Sequence, residues 1–308
     1  QCSVAFRARV GTNTGIGSEG LVADGTPEQK QKFLPLLASG EITGCFALTE
    51  PEAGSDATSL KTSARLEGDH YVVNGSKCFI TNAPIAGLFT VFARTDPNNK
   101  GAGGVSALLV ERGTPGLSTG KPYRKMGQNG SPVSEVHFDN CRVPAANLVG
   151  GREGMGFRTA MKTLNKQRLH LAALCTGPAI RMLDEAVRYA SQRKQFGQAI
   201  AGFQLVQAML ADCRTEIFAA RSMILETARK RDRGEDVSLE ASMCKYYASE
   251  MCGRVADRVV QIFGGYGYIA DMGIERFYRD VRLFRLYEGT SQIHQLNIAK
   301  LTLREFAD

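Results

Sequence analysis

The sequence predicts an α+β protein of two or three folded units, with short strands between a helical start and a long helical end. The 308 residues are enough for that number of units. From about residue 41 to residue 150, apolar residues alternate with a period of two, as in strands. From Gly154 onward they follow the helical period of 3.6.

A helix is predicted over Thr26–Ser39. Thr26 suits an N-cap, Pro27 fits the first turn, and Glu28 lies where the helix dipole favours an anion. Gly40 is typical of a helix end.

The middle region contains several short strand candidates separated by glycine-rich breaks. One strand is predicted at Gly44–Thr49, and a tight turn at Asn74-Gly75 predicts a hairpin between 71–73 and 77–81. Further strands are predicted at 90–94, 105–111 and 133–138. This spacing is typical of a small barrel or a sandwich, and both remain open on the residues alone.

The last region predicts long amphipathic helices packed as an antiparallel bundle. One apolar stripe is formed by Ile180, Leu183, Val187 and Ala190, and two more run through 203–217 and 243–262. A polar turn is predicted at 231–236.

Composition excludes several classes of protein. Hydrophobic residues make up 43% and charged residues 22%, the balance of a globular protein. The net charge is +7, but no run of five Lys or Arg predicts a nucleic-acid arm, and no apolar run approaches the roughly 20 residues of a membrane span. No signal peptide is visible, and the absence of an initiating Met leaves room for a longer parent chain.

Eight cysteines are scattered without CxxC pairs, and the four histidines do not cluster. The pattern favours free, mostly buried thiols in a reducing compartment over a zinc site or a disulfide framework. No metal site is predicted.

Two loops admit either a functional or a structural interpretation. Thr49–Asp56 follows a strand and can hold a polar ligand edge, or it can be a capped turn that starts at Ser55 or Asp56. Gly264–Gly267 either ends a helix or lets the backbone approach a ligand.

A lone carboxylate, Glu288, lies between an aromatic residue and a glycine, before a helix predicted to restart at Thr290 or Ser291. Apolar surroundings would raise its pKa, as a general base for a weak carbon acid requires. The alternative is a helix-capping glutamate. Just upstream, Arg279 and Asp280 form either an interior ion pair or part of a solvated face.

Taken in order, five segments resemble the acyl-CoA dehydrogenase family, and the similarity extends from about residue 26 to residue 303. The segments are Phe46–Asp56, Arg193–Gly197, Gln261–Gly265, Arg279-Asp280 and Tyr287–Gln292. The resemblance implies the remainder of an N-terminal helical domain at 1–42, a middle β-barrel at 43–152 and a C-terminal four-helix bundle at 153–308. By this resemblance, most of the family's first domain, which helps to roof the acyl pocket, would be absent from the sequence.

The resemblance implies FAD as the cofactor. Phe46, Leu48 and Thr49 would lie along the flavin ring, with Thr49 bonding its edge. Phe79 and Thr81 would close over the ring, although many relatives have Trp in place of Phe79. The remaining implied FAD contacts, several of them to a neighbouring subunit's FAD, are Arg193, Phe196, Gln204, Gln261, Gly265, Thr290 and Gln292. Sharing of the cofactor implies a homo-oligomer, typically a tetramer.

The same resemblance makes Glu288 the base that removes the α-proton of an acyl-CoA, while a hydride leaves the β-carbon for the flavin. The product is a trans-2-enoyl-CoA, and an electron-transferring flavoprotein takes the electrons. The implied substrate contacts are Ser55, Arg168, Leu171, Tyr287 and Gly289. Some branches place the base just before the arginine that matches Arg168, but Gln167 stands there and cannot act as a base.

Two other functions stay open: a flavin oxidase or monooxygenase on the same scaffold, and an inactive acyl-CoA-binding or assembly protein. The resemblance is compatible with the bacterial cytoplasm or the mitochondrial matrix, and the acyl chain length stays undetermined.

Overall fold

The computed structural model describes residues 3–306, and the chain divides into two compact units, Gln1–Leu164 and Asn165–Asp308. The helices are α1 (Val4–Asn13), α2 (Ile16–Asp24), α3 (Pro27–Ser39), α4 (Gly156–Gln192), α5 (Gln204–Asp232), α6 (Ser238–Phe263), α7 (Gly265–Tyr268), α8 (Ile274–Val281) and α9 (Ser291–Glu305). The strands are β1 (Gly44–Ala47), β2 (Ser63–Glu67), β3 (His70–Thr81), β4 (Leu88–Arg94), β5 (Val105–Glu111), β6 (Leu117–Thr119), β7 (Val133–Pro144), β8 (Lys194–Gln195) and β9 (Gln198–Ala199). Helices, then strands, then helices follow one another as the sequence predicts.

The first unit is built on one curled seven-stranded sheet in the order β1-β4-β2-β3-β7-β6, with β5 on β4. β1 runs parallel to β4, while β3 pairs antiparallel with both β2 and β7. Both faces of the sheet are buried. One carries Cys45, Ala47 and Phe89, and the other carries Leu48 and Phe92 beside helical residues of this unit.

The helix predicted at Thr26–Ser39 is confirmed as α3, including both of its ends, but α1 and α2 before it were not predicted. Thr26 accepts a hydrogen bond from the N–H of Gln29, whose side chain accepts one from the N–H of Thr26, and Gly40 ends α3 in the left-handed conformation. This reciprocal capping satisfies two of the donors that a helix start leaves open.

The predicted hairpin at Asn74-Gly75 is wrong, because β3 runs without a break through both residues. The register against β7 shifts between Val73 and Gly75, as at a β-bulge. Gly75 has φ +145°, and a Cβ there would lie 2.7 Å from the Cα of Thr62. A glycine is therefore required here because another part of the backbone approaches closely, and not because the chain makes a tight turn.

The second unit is helical, with α6 packed against α5, α8 and α9. The predicted polar turn is confirmed, because α5 ends at Asp232 and α6 begins at Ser238. One apolar stripe is partly wrong: Leu183 and Ala190 are buried, but Val187 is 45% exposed.

The seven cysteines within residues 3–306 are free and buried, and Cys2 lies outside the described residues. Among the described residues there is no cluster of His, Cys, Asp or Glu able to hold a metal ion. No helix in the same part of the chain has both the length and the apolar character needed to cross a membrane.

Candidate functional site

The candidate base lies on a turn in which two consecutive residues adopt left-handed backbone conformations. Glu288 has φ +56° and Gly289 has φ +94°. The turn links a 3-10 turn, Arg282–Arg285, to α9. A glutamate rarely adopts positive φ, and such residues persist where their surroundings hold them.

Helix α9 is capped by Thr290, whose hydroxyl accepts a hydrogen bond from the N–H of Ile293 at 3.3 Å. The predicted helix restart is thus confirmed. Because Thr290 supplies the cap, the alternative in which Glu288 caps the helix is wrong.

Two side chains bind the two carbonyls of this turn. Lys245 Nζ on α6 donates to the Gly289 carbonyl at 2.6 Å, and His294 Nε2 on α9 lies 3.2 Å from the Glu288 carbonyl. The His294 ring also packs on the glycine, since a Cβ at Gly289 would lie 3.0 Å from Nε2. The turn is therefore held from two helices at once.

Positive charge faces the Glu288 carboxylate, which is half-buried. Burial lowers the pKa of Arg168, and the negative charge of Glu288 opposes that shift. Burial also lowers the pKa of Lys245 to about 8, again against the charge of Glu288. Both cations favour the ionised form of this carboxylate, which is the form that accepts a proton.

His294 is neutral in its buried position. Burial lowers its pKa to about 3, and the charges of Lys245 and Arg168 act in the same direction. A neutral ring that faces a carbonyl through Nε2 carries its proton there, so His294 donates to the Glu288 carbonyl. Its Nδ1 is buried and has no hydrogen-bond partner among the described residues.

Sequence reasoning missed Lys245 and did not use His294. A signal existed for Lys245, since it shares one face of α6 with Ala241, Ala248 and Cys252, all of them buried. A lysine in an apolar helical stripe is expected to have a buried partner. His294 gave no such signal, because a single histidine after a cap is common on helix surfaces.

The other predicted substrate contacts of the helical unit either adjoin Glu288 in sequence or lie on α4. Tyr287 stacks on Phe284, with ring centroids 6.2 Å apart, and Leu171 on α4 is buried. Arg168 Nη1 donates to Asn165 at 2.7 Å. These contacts fix the aromatic ring and the guanidinium beside the turn.

A second feature of the helical unit is a cavity of about 590 Å³ that contains two of the predicted FAD contacts, Arg193 and Gly265. Arg193 lies over the Tyr266 ring at 5.7 Å, and Tyr189 stacks on Phe263 with centroids 4.1 Å apart. A Cβ at Gly264 or Gly265 would meet nothing within 4 Å, so the backbone there is open to a ligand. The loop therefore both ends α6 and offers its backbone.

The remaining FAD candidates of this unit are not brought into that cavity. Phe196 is 93% exposed and packs edge-on against Phe203 at 6.0 Å. Gln204, Gln261 and Gln292 are also exposed. Their roles remain predictions.

In the sheet unit, the end of β1 is fixed by a buried ion pair that sequence reasoning missed. Lys77 Nζ donates to Glu50 Oε1 at 2.7 Å and to the Leu48 carbonyl at 3.1 Å. Glu50 also accepts the N–H groups of Lys61 and Thr62 at 2.6 and 2.9 Å. The Thr49 carbonyl accepts the N–H of Cys78 at 2.9 Å, which ties this loop to β3.

The residues proposed to contact the flavin occupy the ends of these two strands. Phe46 packs on Phe92 at 4.7 Å, and Thr49 and Thr81 are half-buried. Phe79 has φ +58°, is 68% exposed and packs on Tyr123 at 5.6 Å. Ser55 is exposed in the loop after Thr49.

Family models match almost the whole chain. The acyl-CoA dehydrogenase N-terminal domain matches residues 1–41, the middle domain 45–141 and the C-terminal domain 154–303. Glu288, Arg168, Lys245 and His294 fall within the C-terminal match.

Several named proteins are similar over most of the chain. A 3-(aryl)acrylate reductase of Clostridium sporogenes is 48% identical over 91% of this chain and 74% of its own length. A caffeyl-CoA reductase–Etf complex subunit of Acetobacterium woodii is 44% identical over 92% of this chain and 75% of its own length. The structure of butyryl-CoA dehydrogenase from Megasphaera elsdenii superposes with a TM-score of 0.94 at 38% identity, covering 98% of this chain and 78% of that one.

Proposed function

Because this chain belongs to the acyl-CoA dehydrogenase family, we propose that it dehydrogenates an acyl-CoA thioester between the α- and β-carbons, with FAD as the cofactor. The observation that carries the proposal is the Glu288 turn. A half-buried carboxylate lies beside two cations on a backbone held by two side chains.

FAD fits the residues that are present. The cavity beside Arg193 has the size of a small-molecule site, a cation for phosphate, aromatic rings for stacking and open glycine backbone. We assign Arg193 and Gly265 to the FAD of a neighbouring subunit, and Thr49 and Thr81 to the flavin ring. FAD, when bound, accepts the hydride from the β-carbon and passes the electrons on.

The protein's own part of the reaction is the removal of the α-proton. A Glu288 oxygen takes this proton, and the electrons of the broken C–H bond become the new double bond as the β-hydride leaves. Arg168 and Lys245 favour the ionised carboxylate before transfer. The backbone N–H of Glu288 is assigned to the thioester carbonyl, where a donor stabilises developing enolate charge.

We propose an electron-transferring flavoprotein as the electron acceptor and a homotetramer as the working form. The acceptor is supported by the similar caffeyl-CoA reductase subunit, whose name includes an Etf complex. The oligomer is supported by the placement of Arg193 and Gly265 in an open cavity of the helical unit.

A second candidate is reduction of an enoyl-CoA, and it rests on the two similar reductases. The same groups serve both directions, because the base that removes a proton in one direction returns it in the other. The direction in the cell then depends on the redox partner rather than on Glu288.

Anaerobic flavin bleaching tests the function. The purified holoprotein is mixed with straight, branched and aromatic acyl-CoAs without oxygen, and loss of flavin absorbance is followed. Bleaching by one class supports dehydrogenation and names the substrate. Reoxidation of the reduced protein by an enoyl-CoA supports the reductive direction, fast reoxidation by oxygen supports an oxidase, and no bleaching by any thioester contradicts the proposal.

A further inference from the structure

Lys245 is so far described only as a cation near Glu288, yet it is a fully buried lysine directed at the loop of the base. Its side chain is 0% exposed, and its described hydrogen bond goes to the Gly289 carbonyl at 2.6 Å. Burying an ammonium group is unfavourable unless opposite charge and hydrogen bonds offset the lost hydration. An apolar residue at this position in α6 would avoid the desolvation penalty of a buried ammonium group.

Titratable groups on four elements interact with Lys245. They are Glu288 on the turn, Arg168 and the Cys175 thiol on α4, Glu250 on α6 and the neutral His294 on α9. Glu288 and Glu250 favour the charged amine, while Arg168 opposes it. Glu288 is thus one of the two carboxylates that balance this lysine.

The backbone under the base requires support. Glu288 and Gly289 both have positive φ, at +56° and +94°. Lys245 holds the second carbonyl and His294 the first, so both peptide units of the turn are fixed in orientation. The first of these peptides begins at the Glu288 Cα, so its orientation restrains the ψ angle of the residue that carries the carboxylate.

On the basis of the proposed function, we propose that Lys245 and His294 are positioning residues that clamp the Glu288–Gly289 turn and so aim the carboxylate of the base. Lys245 acts in two ways, as a donor to the turn and as a cation beside Glu288. His294 acts only as a neutral donor.

The two roles predict different effects of substitution. Lys245→Met removes donor and charge, so kcat falls by about 10–100-fold, the range for lost orienting partners, with a smaller change in KM. Loss of a nearby cation raises the pKa of a carboxylate, so the acid limb of the kcat profile moves to higher pH by about one unit. Lys245→Arg keeps both functions and recovers part of the activity.

His294 offers a matched pair that leaves the charge unchanged. His294→Met removes the donor, whereas His294→Gln places an amide N–H near the position of Nε2. We expect His294→Met to lower kcat by about tenfold and His294→Gln to retain most of it, with the acid limb unmoved in both. Lys300→Met, an exposed lysine on α9, is the control.

Proton transfer is measured separately from turnover as exchange of the α-protons of a saturated acyl-CoA in D2O, read by mass spectrometry. FAD content and thermal melts are recorded for every variant. Slower exchange in Lys245→Met and His294→Met, with FAD retained, supports the clamp. Wild-type exchange together with an unmoved acid limb in Lys245→Met overturns it, as does equal loss in the two His294 variants.

The design separates this inference from the proposed function. If wild-type protein neither bleaches nor exchanges with any acyl-CoA, the function itself fails. If wild type is active and Glu288→Gln is inactive while Lys245→Met behaves as wild type, only the clamp fails. Should Lys245→Met not fold, the His294 pair decides between the outcomes.

Discussion

At position 288 the proposal depends on one carboxylate. Glu288→Gln keeps the size of the side chain but cannot accept the α-proton, so we expect flavin bleaching by acyl-CoA to slow by at least about 1000-fold. FAD content should stay at the wild-type level, because the Glu288 side chain is assigned no contact with the cofactor. Stopped-flow absorbance measures both, and bleaching at the wild-type rate would place the base elsewhere.

The buried imidazole of His294 predicts a pH dependence of stability. Its pKa is about 3 in the folded protein and near 6.5 in the unfolded chain. Between these values the unfolded state binds the extra proton, so the free energy of unfolding falls as the pH decreases from about 6.5. We expect His294→Gln to flatten this slope between pH 6.5 and 5 in urea titrations.

The matching control is His137→Gln, a partly exposed histidine in β7. If it flattens the slope as much as His294→Gln does, the buried imidazole is not the source of the pH dependence.

The buried ion pair at the end of β1 gives the clearest prediction for a single element. Lys77 is 0% exposed, and its ammonium group forms an ion pair with Glu50 and donates a hydrogen bond to the Leu48 carbonyl. Lys77→Met leaves a carboxylate buried without its cation, so we expect a loss of about 3–5 kcal/mol in the free energy of unfolding. Adding Glu50→Gln to Lys77→Met should recover part of that loss, because the uncompensated charge disappears.

Lys61→Met is the matched control for this strand end. Lys61 pairs with Glu52 on the surface, where both side chains are mostly exposed, and we expect a change of about 0–1 kcal/mol. Chemical denaturation gives all four values. Equal effects at Lys61 and Lys77 would show that burial does not decide the energetics of these pairs.

Elements with strong local signals were predictable from the sequence, and those shaped by a distant neighbour were not. Thr26 and Gly40 mark α3 because caps depend on adjacent residues. Asn74-Gly75 wrongly predicts a turn, because Gly75 is needed where the backbone of Thr62 approaches closely, and the local sequence does not reveal this contact. Glu288 was found through its motif, while Lys245 lies 43 residues away and joins the turn only through helix packing.

Across the whole molecule, the order of helical and strand regions was predictable because apolar period changes twice along the chain. The family models match the same order of regions. How two or more copies complete an FAD site is not encoded in any local pattern, and it stays part of the proposal.

The exposed face of α5 predicts an interface between copies. Phe218 is 72% exposed and Leu225, two turns further on, is also exposed. Large apolar groups in solvent mark contact surfaces. We expect Phe218→Asp to shift the protein toward smaller species in sedimentation velocity and to lower its FAD content, because Arg193 and Gly265 are proposed to bind a neighbour's cofactor.

Phe6→Asp, an exposed aromatic residue on α1, is the control for this change. If Phe218→Asp leaves both sedimentation and FAD content unchanged, this face of α5 is not the interface.

The burial of every described cysteine has a practical consequence for experiments on the folded protein. A maleimide dye reacts with these seven thiols only after part of the chain unfolds locally, so the labelling rate measures how readily that local unfolding occurs. Since Cys45 and Cys78 belong to the sheet unit and Cys175 and Cys252 to the helical unit, peptide mapping of the dye reveals which unit opens first. The native cysteines thus serve as probes of local unfolding, and no cysteine needs to be introduced.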